Sequence, residues 1–171
     1  MPAQPPRARH APAPDHPQVI RMRTFSKGYG LAGARVGYAI TNPDLALAFD
    51  KVRDHFGMGR VSQAGALAAL ADQDWLTSVK TRTLHARDRL SVIARANGLL
   101  PLPSATNFVT VDCGRDGDHA RRILAELGRL GVFIRMPGVA PLDRCIRISL
   151  GDDATLDMLE EALPQALLAA G

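Results

Sequence analysis

Apolar positions along the chain keep two rhythms. In "NPDLALAFDKVRDHF" (42–56), Leu45, Leu47, Ala48 and Val52 hold helical spacing, with Asn42 at a capping position and Pro43 at the first helical one. "VSQAGALAALADQ" (61–73) reads as a second helix, made of small residues that permit close packing. "DWLTSVKTRTLHARDRLSVIARANG" (74–98) reads as a long third, with Asp74 as N-cap and Gly98 as stop. "DGDHARRILAELGRLG" (116–131) is amphipathic and ends at Gly131, and "DDATLDMLEEALPQALLAA" (152–170) is a last helix capped by Asp153 or Thr155. The β-rich stretches "QVIRMRTF" (18–25), "RVGYAIT" (35–41), "NFVTVDC" (107–113), "VFIRMP" (132–137) and "RCIRISLG" (144–151) predict strands. The texture changes at "LLPLPSATN", so a boundary is expected near residues 98–103. Beyond it the order β-α-β-β-α predicts a small sheet covered by helices. The fold class is α/β, without internal repeats.

Composition narrows the function classes. The chain has 171 residues, 46% hydrophobic and 22% charged, which suits one globular body or one plus a tail. Of the net charge of +4, a surplus of three comes from residues 1–23, where Arg7, Arg9, Arg21 and Arg23 face Asp15 alone. The remainder is close to neutral, which argues against a nucleic-acid-binding face. Cys113 and Cys145 have no CxxC spacing and read as reduced thiols of a cytoplasmic protein. His55, His85 and His119 have no ligand spacing, so no metal is expected. No apolar run reaches the length of a membrane span. Residues 1–17, rich in Pro, Ala and Arg, read as a disordered extension; their prolines oppose the amphipathic helix of a transit peptide.

The candidate chemistry lies in "TFSKGYGLAGARVGY" (24–38). Gly28-x-Gly30-x-x-Gly33 spells a dinucleotide-binding fingerprint, which needs a helix to open directly after it and an acid about 20 residues on. Here the β-rich "ARVGYAI" follows, and the nearest acid, Asp44, opens the next helix. A second reading centres on Lys27. An amine that forms a Schiff base with pyridoxal phosphate needs hydroxyls and a permanent cation for the cofactor phosphate, and a backbone that turns tightly. Thr24 and Ser26 offer the hydroxyls, Arg35 a planar fork that binds phosphate bidentately, and the glycines the turn. Tyr29 reads as packing.

The stretch resembles the active-site segment of fold-type I pyridoxal-phosphate aminotransferases of class I/II. It is most similar to the histidinol-phosphate aminotransferase branch, whose segment reads S/T-x-S-K-x-x-x-L-A-G-x-R-x-G. "SQAGALAALAD", "PSATNFVTVD" and "GVFIRMPG…CIRISLG" resemble later family segments in the same order, so the resemblance covers about residues 18–168. It implies the C-terminal part of the family's large domain (18–98), followed by a small α+β C-terminal domain (104–171). It implies pyridoxal 5'-phosphate as cofactor, with Lys27 attached to it and shuttling the substrate α-proton, and Thr24, Ser26 and Arg35 on its phosphate. It gives Arg147 the substrate α-carboxylate and Arg135 an anionic substrate group. Without the resemblance, Arg147, between Ile146 and Ile148, is an ordinary outward-facing strand arginine, and Asn107 is a turn residue before a strand.

The implied reaction is transamination of an amino acid, or an amino-alcohol phosphate such as histidinol phosphate, with a 2-oxo acid. Small molecules are the expected partners, with no nucleic acid and no membrane, and the family assembles as homodimers. The family's ring-stacking aromatic and the Asp that bonds the pyridinium nitrogen precede the lysine segment. Here residues 1–26 offer only Asp15, so the chain resembles the C-terminal half of such an enzyme. A non-catalytic fragment or interaction module, a threonine-phosphate decarboxylase-like enzyme and a nucleotide-binding module stand as alternatives.

Overall fold

The computed structural model describes residue 16 and residues 18–171; the expected extension over residues 1–17, Asp15 included, otherwise lies outside the described residues. The chain divides into two compact units, Met1–Lys80 and Thr81–Gly171.

The first unit is organised by a hairpin. Strand β1 (Arg21–Thr24) pairs antiparallel with β2 (Gly37–Ile40), with Thr24 opposite Gly37. The Phe25 N–H donates to the Val36 carbonyl at 3.2 Å, carrying the pairing one step further. Gly37 is required for this approach, since a Cβ there would stand 2.7 Å from the Arg23 carbonyl oxygen. Helix α1 (Pro43–Phe49) begins as expected, with Asn42 Oδ1 accepting from the Leu45 N–H. It stops seven residues short of Phe56. The Asp54 carboxylate takes the Phe56 N–H at 2.9 Å in a local turn, and Val52 and Phe56, 81% and 94% exposed, have no surface to hold a longer helix. Helix α2 (Arg60–Ala71) lays Ala66 and Ala69 against Phe25, Val36, Leu31 and Ala34. Only Phe25, Val36 and Ala66 are fully buried in this cluster. Helix α3 (Gln73–Ala96) is capped by Asp72, whose Oδ1 accepts from the Trp75 N–H, two residues earlier than the expected Asp74.

The second unit has a substantial core. Helix α3 ends at Gly98 as expected: this residue takes φ +75°, and the Leu99 N–H returns to the Ala94 carbonyl. Strands β3 (Leu100–Pro101), β4 (Phe108–Asp112) and β5 (Cys145–Ser149) form an antiparallel sheet in that order. Helix α4 (Gly117–Arg129) is capped by Asp116. Helix α5 (Asp153–Ala170) is capped by Asp152 rather than Asp153 or Thr155, since Asp152 Oδ1 takes the Thr155 N–H and hydroxyl. Val109, Val111, Ile146 and Ile148 pack with Leu90 and Ile93 of α3, Ile123 and Leu127 of α4, and Leu156 and Leu163 of α5. Arg89 of α3 binds Asp157 and Glu160 of α5 at 2.5 and 2.8 Å. The observed order is therefore β-β-α-β-α. Leu100–Pro101 was not expected as a strand; its brevity follows from Pro101 and Pro103, which lack ladder donors. The strand expected over "VFIRMP" is absent. Arg135 alone makes a bridge, to Arg147, because Phe133 turns outward and Pro137 removes the next donor.

Candidate functional site

In the first unit, Thr24, Ser26, Lys27 and Arg35 gather where the hairpin opens. Counting outward from Thr24 opposite Gly37 and Phe25 bonded to Val36, Ser26 comes opposite Arg35. The loop is held by its own bonds. Thr24 Oγ1 accepts from the Ser26 N–H at 3.0 Å, and the Gly30 N–H closes a turn on the Lys27 carbonyl at 2.9 Å. Gly30 takes φ +70°, which suits a residue without Cβ. Beyond it a single 3-10 turn (Ala32–Ala34) leads into Arg35, which takes the left-handed conformation at φ 50°, ψ 48° and donates from Nη1 to the Ala32 carbonyl at 2.8 Å. A non-glycine residue there is strained, and such strain collects where a side chain must be aimed.

Phe25 anchors the loop from below. It is 2% exposed, with the half-buried Tyr29 ring 4.8 Å away, so Tyr29 packs as expected. Lys27 and Arg35 are exposed, and among the described residues neither meets a carboxylate. Two cations without a carboxylate partner among the described residues, Arg35 keeping only its bond to the Ala32 carbonyl, and two hydroxyls stand at one hairpin mouth, groups of the kind that suit a phosphate-bearing molecule with an electrophilic carbon. The dinucleotide reading fails on the same geometry: three residues of 3-10 helix and then β2 follow Gly33, so no α-helix opens directly after the glycine motif.

In the second unit, Arg147 and Arg135 stand directly opposite one another. The Arg135 N–H donates to the Arg147 carbonyl at 3.0 Å and the reverse bond is 2.6 Å. Directly opposed residues of an antiparallel pair project to one face. Ile134, Ile146 and Ile148 are buried on the core side, which leaves both arginines on the opposite face with Phe108 and Thr110. Like charges directly across a pair are unfavourable unless an anion joins them. Arg147 Nε is buried without a hydrogen-bond partner among the described residues. The neighbouring carboxylate, Asp112, is committed to Arg144 at 2.5 Å and to the Gly114 N–H. Asn107 acts through its backbone: its carbonyl accepts from the Leu150 N–H.

Sequence reasoning missed Phe108, whose ring centroid lies 3.7 Å from the Arg147 guanidinium carbon. Alternation along β4 puts Phe108 on the outer face. The diagonal that brings it to Arg147 depends on the register between strands, which the sequence does not carry. Elsewhere the two cysteines are free and buried; burial pushes the Cys113 thiol up to about 11 and raises the Cys145 thiol as well, which disfavours the reactive thiolate in both. No helix among the described residues is long and apolar enough to cross a membrane.

Comparison with known proteins gives the family and the fold. The aminotransferase class I and II family pattern matches residues 2–163. A histidinol-phosphate aminotransferase of Ralstonia nicotianae is 38% identical over 159 residues, 91% of this chain and 42% of that protein. One from Shouchella clausii is 37% identical over 89% of this chain and 40% of its own length. The crystal structure of histidinol-phosphate aminotransferase from Sinorhizobium meliloti, in complex with pyridoxal-5'-phosphate, superposes with a TM-score of 0.87 at 57% identity, covering 91% of this chain and 42% of that one. The L-threonine-O-3-phosphate decarboxylase of Porphyromonas gingivalis shares the fold, with a TM-score of 0.72 at 19% identity. The chain thus spans about two fifths of the length of the curated relatives it matches.

Proposed function

The chain belongs to the aminotransferase class I and II family, and from that premise we propose that it carries the lysine, phosphate-binding and carboxylate-binding parts of a pyridoxal 5'-phosphate-dependent aminotransferase. The reaction is transfer of an amino group from histidinol phosphate, or a chemically similar amino donor, to a 2-oxo acid. One observation carries the reading: Lys27, Arg35, Thr24 and Ser26 meet at one hairpin mouth, with both cations free of acidic partners among the described residues.

These residues fit the cofactor's phosphate end. Arg35 supplies the bidentate fork, and Thr24 and Ser26 the hydroxyl donors. When bound, the cofactor supplies an aldehyde carbon for an amine and a ring that withdraws electrons from the substrate α-carbon. Lys27 would hold the cofactor covalently, and its free amine would carry the proton at that α-carbon. Arg147 takes the α-carboxylate in its planar fork, and Arg135 on the same face takes a second anionic group, as a phosphorylated donor requires. This reading carries small-molecule substrates, a homodimer and a cytoplasmic setting.

The test uses the full chain, pyridoxal 5'-phosphate and borohydride, with the reduced adduct mapped by peptide mass. The chain has three lysines, Lys27, Lys51 and Lys80, so the map is short. An adduct concentrated on Lys27, and absent from Lys27→Ala, is expected. Equal labelling of all three would overturn the reading. That outcome would favour a non-catalytic interaction module, which Val61, Leu67 and Phe56, 87%, 70% and 94% exposed, also support.

A further inference from the structure

Arg147 is held by no carboxylate among the described residues, yet its Nε is buried and its guanidinium lies against an aromatic ring. A long cationic side chain left to itself samples many rotamers, and binding must then fix it at an entropic cost. Some group has to supply that order beforehand, if Arg147 is to recognise a small anion with useful affinity.

We propose that Phe108 is a positioning residue for carboxylate recognition. Its ring forms a shelf that fixes the guanidinium plane of Arg147, so that the donor edge of the fork is presented to substrate. This inference rests on the reading of Arg147 as the carboxylate-binding arginine. The carbon at the centre of the guanidinium sits 3.7 Å from the ring centroid, a van der Waals stacking distance. Phe108 pairs with Ser149 and Arg147 with Thr110, so ring and guanidinium meet along the diagonal of one sheet face.

The choice of an aromatic shelf has a chemical reason. An acidic side chain would hold Arg147 equally well, but it would occupy the donor fork that a ligand needs. The ring attracts the cation through its quadrupole and leaves every N–H free. It also offsets part of the repulsion from Arg135, which stands directly across the bridge. Asp112, the nearby acid on β4, is turned to Arg144 and the Gly114 N–H. Among the described residues, the shelf is therefore a restraint on Arg147 that does not compete with an incoming carboxylate.

The experiment reads the Arg147 Nε–Hε signal in the ¹⁵N-labelled full chain, identified as the resonance missing from Arg147→Lys, during titration with 2-oxoglutarate. In the unsubstituted chain the Hε proton lies upfield of the other arginines, from the ring current of Phe108, and it moves as 2-oxoglutarate binds. Phe108→Leu brings the signal back among the other arginines and weakens 2-oxoglutarate binding by roughly tenfold, between the scales of an exposed and a desolvated cation–π contact. Phe108→Tyr retains the ring and restores both the upfield position and the affinity. Phe108 is half-exposed, so both variants keep the core intact. If Arg147 responds to 2-oxoglutarate with the same affinity in Phe108→Leu, the shelf is refuted while the carboxylate role of Arg147 stands. If Arg147 does not respond even in the unsubstituted chain, the carboxylate role falls and takes the shelf with it.

Discussion

His119 shows how one side chain sets a pH limit on the fold. It is buried on α4, 6% exposed, with Nδ1 unpaired among the described residues. Burial comes first in holding its pKa below the ordinary histidine value, with Arg115 and Arg122 pushing the same way and Asp116 and the Ala170 carbonyl opposing. The folded chain therefore keeps His119 neutral where the unfolded chain takes up a proton. The unfolded state then binds more protons as pH falls through about 6.5, so stability is full above that value and declines below it. The carboxyls of Asp116 and Asp152 are held below the usual range, mainly by the backbone N–H of His119 and by Thr155. Their contribution is present above the unfolded carboxyl value and is lost only at lower pH, as it falls through their folded values. The two windows separate. The urea midpoint of the second unit should fall between pH 7.5 and pH 5, and His119→Gln should flatten that slope without changing the drop seen below pH 4.

At the scale of elements, the β1–β2 hairpin decides whether the lysine loop exists. Its strands approach so closely at Gly37 that a methyl group would meet the Arg23 carbonyl at 2.7 Å. Gly37→Ala should therefore spread the hairpin mouth and remove the preference of pyridoxal 5'-phosphate for Lys27 in the borohydride map, while the urea midpoint of the second unit stays unchanged. Retained Lys27 labelling would mean that the loop holds its shape without the pairing. Much of this was legible in the sequence. The strand–loop–strand reading of residues 18–41 and the grouping of Thr24, Ser26, Lys27 and Arg35 required only local spacing. The longer helices α2 to α5 followed from period and punctuation. What was not legible depended on partners distant in sequence. The early end of α1 follows from missing surface around Val52 and Phe56, the loss of the "VFIRMP" strand from its edge position, and the Phe108 shelf from cross-strand register. Caps slipped by one or two residues because adjacent acids, Asp72 with Asp74 and Asp152 with Asp153, offer equivalent oxygens and only backbone geometry chooses between them.

Across the whole molecule the two units differ in what holds them. The second buries Leu90, Ile123, Leu127, Ile146, Leu156 and Leu163 almost completely, whereas the cluster in the first has three buried residues. Each fully buried leucine or isoleucine contributes about 1.5–3 kcal/mol of transfer free energy, so local opening should be far easier in the first unit. Amide exchange followed by mass spectrometry should find β4, β5, α4 and α5 protected by orders of magnitude more than β1, β2 and α1; equal protection throughout would contradict this division. The facing arginines add a consequence of a different kind. A sheet that sets Arg135 against Arg147 carries its own repulsion whenever no counter-ion bridges them. Whatever relieves that repulsion stabilises the strands that bear it, so the thermal resistance of the second unit becomes a property of the dissolved salt, graded by the valence of its anions as well as by ionic strength.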